Sequence, residues 1–264
     1  DTAGYLLVAF ERLRRRGLEE DQLSWPIQKA LLGHVVASYE EPDQGIWEMR
    51  GPPRHHLYSK LMCWVAMDRA LALEDMLGAD AERVARWKRV RRDIRSAILE
   101  HGWNEDVGAF TQSFDSDVLD ASVLMMPIVG FLPANDSRMR ATMDAIATEL
   151  TDARGLVYRY RADDGLEGEE GTFFLCTFWL AQAYALADEV ERARETFTQA
   201  VEHVNDVGLL SEEVEPDSGE LLGNFPQAFS HIGLVNAAWA IAQAEERRER
   251  RAGSARLSTP GAPI

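Results

Sequence analysis

Two kinds of helix alternate along this chain, and that alternation constrains its fold more than any other feature. Apolar residues recur at helical spacing over 5–13, 25–39, 57–77, 81–99, 121–132, 137–150, 172–187, 190–204 and 226–244. Segments 57–73, 121–132, 172–187 and 229–242 are apolar nearly all round, as a helix buried on most sides must be. Between them, 81–99, 137–150 and 190–204 each carry one apolar stripe and one Arg/Glu/Asp-rich face. The pattern predicts an inner ring of helices wrapped by an outer ring. Extended segments are few and short, 109–114 and 156–160, so the fold class is mainly α.

The connections alternate as well. Inner-to-outer turns are short, around Gly78, 133–136 and Asp188; outer-to-inner loops are long, 40–56, 103–119, 151–171 and 206–225. In an up-down array every outer-to-inner loop emerges at the same end, so the four long loops are expected at one rim, where function concentrates. The unit recurs roughly every 50 to 60 residues, as in a helical-hairpin toroid. Asp21 and Asp120 read as helix N-caps, and Asp136 opens a further helix. The domain is expected over 1–247, with 248–264 a disordered tail. The chain opens on Asp1 with a helix already in progress and without a signal peptide. Those features predict a piece of something longer and a cytoplasmic location.

Charge and motifs exclude several functions. Acidic residues number 44 against 28 basic ones, a formal net charge of −16. Such a surface repels phosphate backbones and anionic lipid, which argues against nucleic acid and membrane partners and is compatible with a neutral substrate such as a sugar. No apolar run reaches the length of a membrane span. Cys63 and Cys176 sit in apolar stretches and read as buried thiols, and the six histidines lack ligand spacing, so no metal site is expected. P-loop, G-x-G-x-x-G and G-x-S-x-G motifs are absent.

The long loops carry the candidate chemistry. In the first, Glu48 follows Ile46-Trp47 and precedes Met49. A carboxyl against an indole and aliphatic groups loses solvation and is expected to rise toward the pKa of a general acid, with Arg50 and Arg54 pulling the other way. Composition alone favours a solvated loop glutamate. In the fourth, Glu212 and Glu213 follow Leu209-Leu210, either as acidic surface or as a carboxylate carried to the rim interior. Glu48 and Glu212 lie about three repeat units apart, which puts them across a ring; facing carboxylates roughly 6.5–9.5 Å apart are what an inverting glycosidase needs. In the third loop Arg159 stands between Tyr158 and Tyr160, a fork for sugar hydroxyls or a salt bridge to Asp163, Asp164 or Glu169. Glu169 and Glu170 lie near the N-terminus of the following helix and are candidate caps. The second loop brings Trp103, Phe110 and Gln112 to the rim, although Phe110 suits core packing better.

These segments resemble a known family. GIWEMRGPPRHHLYSKLMCWVAMDRA (45–70) is similar to the general-acid segment of glycoside hydrolase family 15, the glucoamylases and their prokaryotic glucoamylase/trehalase-like relatives. LDASVLMMPIVGFLPANDSRMRATMDAI, GLVYRY with EGTFFLCTFWLAQA, and GLLSEEVEPDSGELLGNFPQAFSHIGLVNAA resemble its later segments in the same order, over about 1–245. The resemblance implies an (α/α)6 barrel lacking its first helices. It implies Glu48 as proton donor, Glu212 as catalytic base, and Arg159, Trp47 and Arg50 at the sugar site, with Glu169 and Glu170 as weaker cleft positions. It implies no metal or organic cofactor, and an α-glucoside or α-glucan substrate: malto-oligosaccharide, starch-like glucan or trehalose. HHLYSK (55–60) departs from the family run, so no role passes to Tyr58. The family's W-x-R-D-like glucose-gripping segment has no counterpart here. An open ring exposes apolar flanks, which predicts self-association or contact with a missing N-terminal part. The alternative expectation is a non-catalytic helical scaffold or carbohydrate-binding module.

Overall fold

A computed structural model describes residues 2–17, 24–162 and 170–257. The chain divides into two compact units, 1–131 with 162–167, and 132–161 with 168–264.

The first unit is built on α3 (Leu57–Ala72), whose all-round apolar surface is buried by α1 (Thr2–Arg15), α2 (Ser24–Ser38) and α4 (Ala81–His101). α4 buries the single stripe Trp87, Val90, Ile94 and Ile98 and leaves its arginine-rich face to solvent. Asp80 caps it by accepting from the Arg83 N–H. A hairpin of β1 (Trp103–Asn104) and β2 (Ala109–Phe110) follows, with Trp103 paired to Phe110. The predicted inner helix over 121–132 is instead a 3₁₀ turn, Ala121–Leu124, and one short turn, α5 (Met125–Ile128). Pro127 lacks a donor and Gly130 sits at φ +82°, so the segment breaks early although nearly all of it is buried.

The second unit is built on α7 (Phe174–Leu186), against which α6 (Ser137–Glu149), α8 (Val190–Val201) and α9 (Ala228–Leu257) pack. Asp136 caps α6 through the Arg138 N–H, as its position predicts. α8 buries Val190, Ala193, Thr196 and Ala200 along one stripe. Three two-residue strands, β3 (Thr172–Phe173), β4 (Glu213–Val214) and β5 (Leu221–Leu222), form an antiparallel sheet in the order β3-β4-β5. Phe178 lies at the centre of the core with Leu156, Phe174, Ala181, Ala200, Leu210, Val214 and Ala237.

Two expectations change here. Residues 248–257, expected in a disordered tail, continue α9; helix-forming Arg, Glu and Ala favour this, and ion pairs Arg248–Glu191, Arg250–Glu246 and Arg251–Asp188 add to it. α9, read as buried nearly all round, exposes Phe229 (61%), Ile232 (54%), Val235 (63%) and Trp239 (68%). Asp21 lies outside the described residues. No helix among the described residues is long and apolar enough to cross a membrane.

Candidate active site

Long loops gather in pairs, one pair in each unit. In the first unit, loops 40–56 and 103–119 are joined by the His56–Ser113 bridge and by the Leu57 N–H to the Gln112 carbonyl (2.9 Å). Asp43 and Arg54 close the base of the first loop as an antiparallel bridge. At its apex the Met49 N–H reaches the Gln44 carbonyl (2.9 Å), and Glu48 adopts φ +52°, a conformation a non-glycine residue rarely takes. The turn separates neighbours. Trp47 is half-buried and donates its indole N–H to Asp120, whereas Glu48 and Arg50 are exposed. Glu48 is therefore exposed to solvent, not packed away against Trp47 as the sequence suggests. Beside it lies a cavity of ≈ 390 Å³ lined by Met49, Arg50, Arg54, His56, Gln112 and Asp117, among others. Gln112 is buried and donates to Asp120 (3.0 Å), Phe110 is fully buried, and Trp103 is half-buried, so this trio forms support more than rim.

In the second unit, loops 151–171 and 206–225 are tied by the Arg154 guanidinium donating to the Glu215 and Pro216 carbonyls, and by the β3–β4 pairing. Ser230 Oγ donates to the Ser211 carbonyl (2.7 Å) and the Gln227 N–H to the Leu210 carbonyl (3.0 Å), which pins the Glu212 loop to the start of α9. The Glu212 carboxylate is held at both oxygens. Oε2 accepts from the Asn224 backbone N–H (3.1 Å) and Nδ2 (2.9 Å), and Oε1 accepts from Gln227 Nε2 (3.1 Å). A Cβ on Gly223, which has φ +71°, would lie 2.8 Å from that Oε2, so any side chain there displaces the carboxylate.

Arg159 pairs with Glu170 through Nη2 and Nε, and its guanidinium lies 5.3 Å from the Phe173 ring centre. Burial works against its charge, but Glu170, Tyr160 and Glu213 outweigh burial and hold its pKa above the usual arginine range. Glu170 thus binds Arg159; it does not cap α7, whose N-cap is Phe173 with no side-chain bond. Asp163, Asp164 and Glu169 lie outside the described residues. Glu213, half-buried on β4, faces Gly171, where a Cβ would lie 3.0 Å from its Oε2. Burial pushes the Glu213 carboxyl up, Arg159 opposes this, and the charges of Glu170 and Glu212 add to it. Cys176 is buried and Cys63 half-buried, its thiol pushed up by burial.

A carboxyl whose folded pKa exceeds its unfolded one costs stability as pH rises through that interval. Glu213→Gln is accordingly expected to raise the thermal midpoint at pH 7 and to leave it unchanged near pH 3, where the carboxyl is protonated folded and unfolded. Melts at the two pH values check this; an equal shift at both contradicts it.

The sequence compares with known proteins as follows. Residues 1–239 match the model of Glycosyl hydrolases family 15. A trehalase of Mycobacterium tuberculosis is 44% identical over 252 residues, covering 94% of this chain and 37% of that protein. A trehalase of Thermoplasma volcanium is 35% identical over 254 residues, covering 96% of this chain and 41% of that protein. The chain spans less than half the length of the curated relatives it matches. A wild-type glycosidase structure superposes with TM-score 0.75 at 22% identity, over 91% of this chain and 66% of that one. A bacterial glucoamylase complexed with acarbose gives 0.72 at 16%, over 90% and 40%. At these identities the structural likeness shows the fold, with which an (α/α)6 barrel is consistent. By the match across 1–239 and the trehalase identities, the chain belongs to Glycosyl hydrolases family 15.

Proposed function

We propose that this chain carries both catalytic carboxyls of an inverting α-glucoside hydrolase, Glu48 as general acid and Glu212 as general base. Trehalose is the first substrate in view, because the trehalase relatives reach 44% identity over 94% of the chain; malto-oligosaccharides and α-glucans follow. The observation that carries the reading is the setting of Glu212, a carboxylate held at both oxygens by three N–H donors on a loop pinned to α9, in a family 15 chain. A general base needs that fixed orientation, since it must face one water and one sugar carbon.

Glu48 protonates the glycosidic oxygen as the C1–O bond breaks. Glu212 takes a proton from a water that attacks C1 on the opposite face, and the anomeric centre inverts. Arg159, held by Glu170, presents its fork toward sugar hydroxyls, and Trp47 and Arg50 line the sugar site on the Glu48 side. The rate is bell-shaped in pH, because Glu212 must be ionised while Glu48 stays protonated.

A second reading, with which the acidic surface (formal net charge −16) is also compatible, is a carbohydrate-binding helical scaffold without turnover. Glucose release from trehalose, maltose and maltoheptaose, measured in parallel with the purified chain, separates the two. Release from any of them supports the hydrolase. Sugar binding by a folded chain that releases none supports the scaffold.

A further inference from the structure

Asp120 is a carboxylate with no counter-ion among the described residues, and it is 1% exposed. Burying such a group is costly unless its lone pairs are filled. They are filled by three residues, through N–H donors and the Ser122 side chain. The Trp47 indole Nε1 lies 3.1 Å from Oδ1 and 2.9 Å from Oδ2, Gln112 Nε2 is 3.0 Å from Oδ2, and the Ser122 backbone N–H is 2.7 Å from Oδ1. Burial pushes the carboxyl up, and the bonds from Ser122, Gln112 and Trp47 pull it down.

Capping the 3₁₀ turn at Ser122 needs one acceptor oxygen, which serine, threonine or asparagine also supplies. The second oxygen serves Gln112 and Trp47. Gln112 is itself fixed, since its carbonyl takes the Leu57 N–H (2.9 Å) and its N–H reaches the Val118 carbonyl (2.8 Å). Asp120 is thereby locked to the start of α3, and the Trp47 indole is its reach into the loop. The residue after Trp47 is Glu48, at φ +52°. A left-handed non-glycine residue persists only where its surroundings over-determine it. Below the apex the loop is closed by the Asp43–Arg54 bridge; at the apex the indole is a tether to the buried scaffold.

We propose that Asp120 is the positioning residue of the acid: through Trp47 it fixes the left-handed turn that aims Glu48. The proposal rests on Glu48 being the general acid. It assigns a function to a buried aspartate that a cap alone does not require, and it makes Gln112 part of the same support.

The test uses Asp120→Asn, Trp47→Phe and the double variant, with Glu48→Gln beside them. Asn keeps volume and a cap acceptor but turns one acceptor into a donor; Phe keeps the ring and loses the N–H. Each single variant is expected to lower kcat on trehalose about tenfold or more with KM within about threefold, the signature of lost alignment. The double falls no more than about threefold below the worse single, because both changes cut the same link. The Trp47 indole N–H resonance, identified by its loss in Trp47→Phe, exchanges with solvent at least about tenfold faster in Asp120→Asn than in the parent. Wild-type kcat in either single, a multiplicative double, or unchanged indole exchange overturns the proposal. Should Asp120→Asn fail to fold, Trp47→Phe still decides, since it leaves the Ser122 and Gln112 bonds intact. Wild-type rates in Glu48→Gln remove the acid reading itself; an inactive Glu48→Gln beside an unimpaired Asp120→Asn removes only the positioning role.

Discussion

Glu48→Gln and Glu212→Gln each lower kcat on trehalose by roughly 10²–10⁴-fold with little change in KM, the range a positioned proton donor or acceptor contributes. Glutamine keeps the shape of both side chains. At position 212 its one oxygen still accepts from Asn224, while its NH2 faces Gln227, whose side-chain amide can turn to accept it; the loop stays pinned through Ser230. What it removes is the proton that Glu48 is proposed to give and the charge by which Glu212 is proposed to take one. The two losses are separable by leaving group. On α-glucosyl fluoride, whose fluoride departs with little protonic help, Glu48→Gln regains most of the parent rate, and Glu212→Gln does not, because attack by water still needs a base. Steady-state kinetics on the two substrates decide this. Near-parent turnover of trehalose by either variant removes that residue from its role, and equal rescue of both by fluoride assigns the roles wrongly.

Phe178→Ala is expected to destabilise the chain by about 3–5 kcal/mol, the usual cost of emptying a buried phenylalanine site. Phe178 is fully buried on α7, and its ring lies 5.8 Å from that of Phe197 on α8. A Cβ on Gly233 of α9 would come within 3.1 Å of the Phe178 Cβ, so α7 and α9 already touch at this point and have little room to close over a hole. The same core holds Leu210 and Val214, which flank Glu212 in sequence, so loosening it also loosens the candidate base. Urea unfolding should show a lower midpoint at unchanged slope. Phe178→Leu, which keeps most of the volume, should lose less than half as much. A Phe178→Ala midpoint equal to that of the parent shows that α7, α8 and α9 do not share one core.

Helix positions were legible in the sequence because the apolar period is local. α4, α6 and α8 bury the stripes their spacing predicts, and α3 and α7 are the all-round apolar hubs of their units. Where the expectation failed, something other than periodicity decided. Pro127 and Gly130 cut the 121–132 segment short, and the apolar pattern of α9 says nothing of which flank a neighbour covers. The loops that carry the candidate residues were legible in the sequence, and the partners of those residues less so. Glu48, Glu212, Arg159 and Glu170 lie on the long loops, yet the pairing of Trp47 with Asp120 spans 73 positions, and no local pattern announces it. Asp120 read as a cap, which it is, but the cap uses only part of its carboxylate. Glu48 is exposed and has a backbone angle, φ +52°, and its neighbours Trp47 and Met49 reveal neither. Glu170 looked like a helix cap by position and is taken by Arg159, because an ion pair with a guanidinium fork outweighs a dipole contact.

The central claim is inversion by an acid and a base on separate loops, and the anomer released tests it most directly. Trehalose joins two α-glucosyl units through one oxygen. Inverting attack at one C1 therefore frees one β-glucose and one α-glucose, and a double displacement frees only α-glucose. Proton NMR in the first minutes, before mutarotation mixes the anomers, is expected to show the two in equal amounts. α-Glucose alone would contradict the account, because a nucleophilic carboxylate would then have to replace the water that Glu212 is assigned to activate.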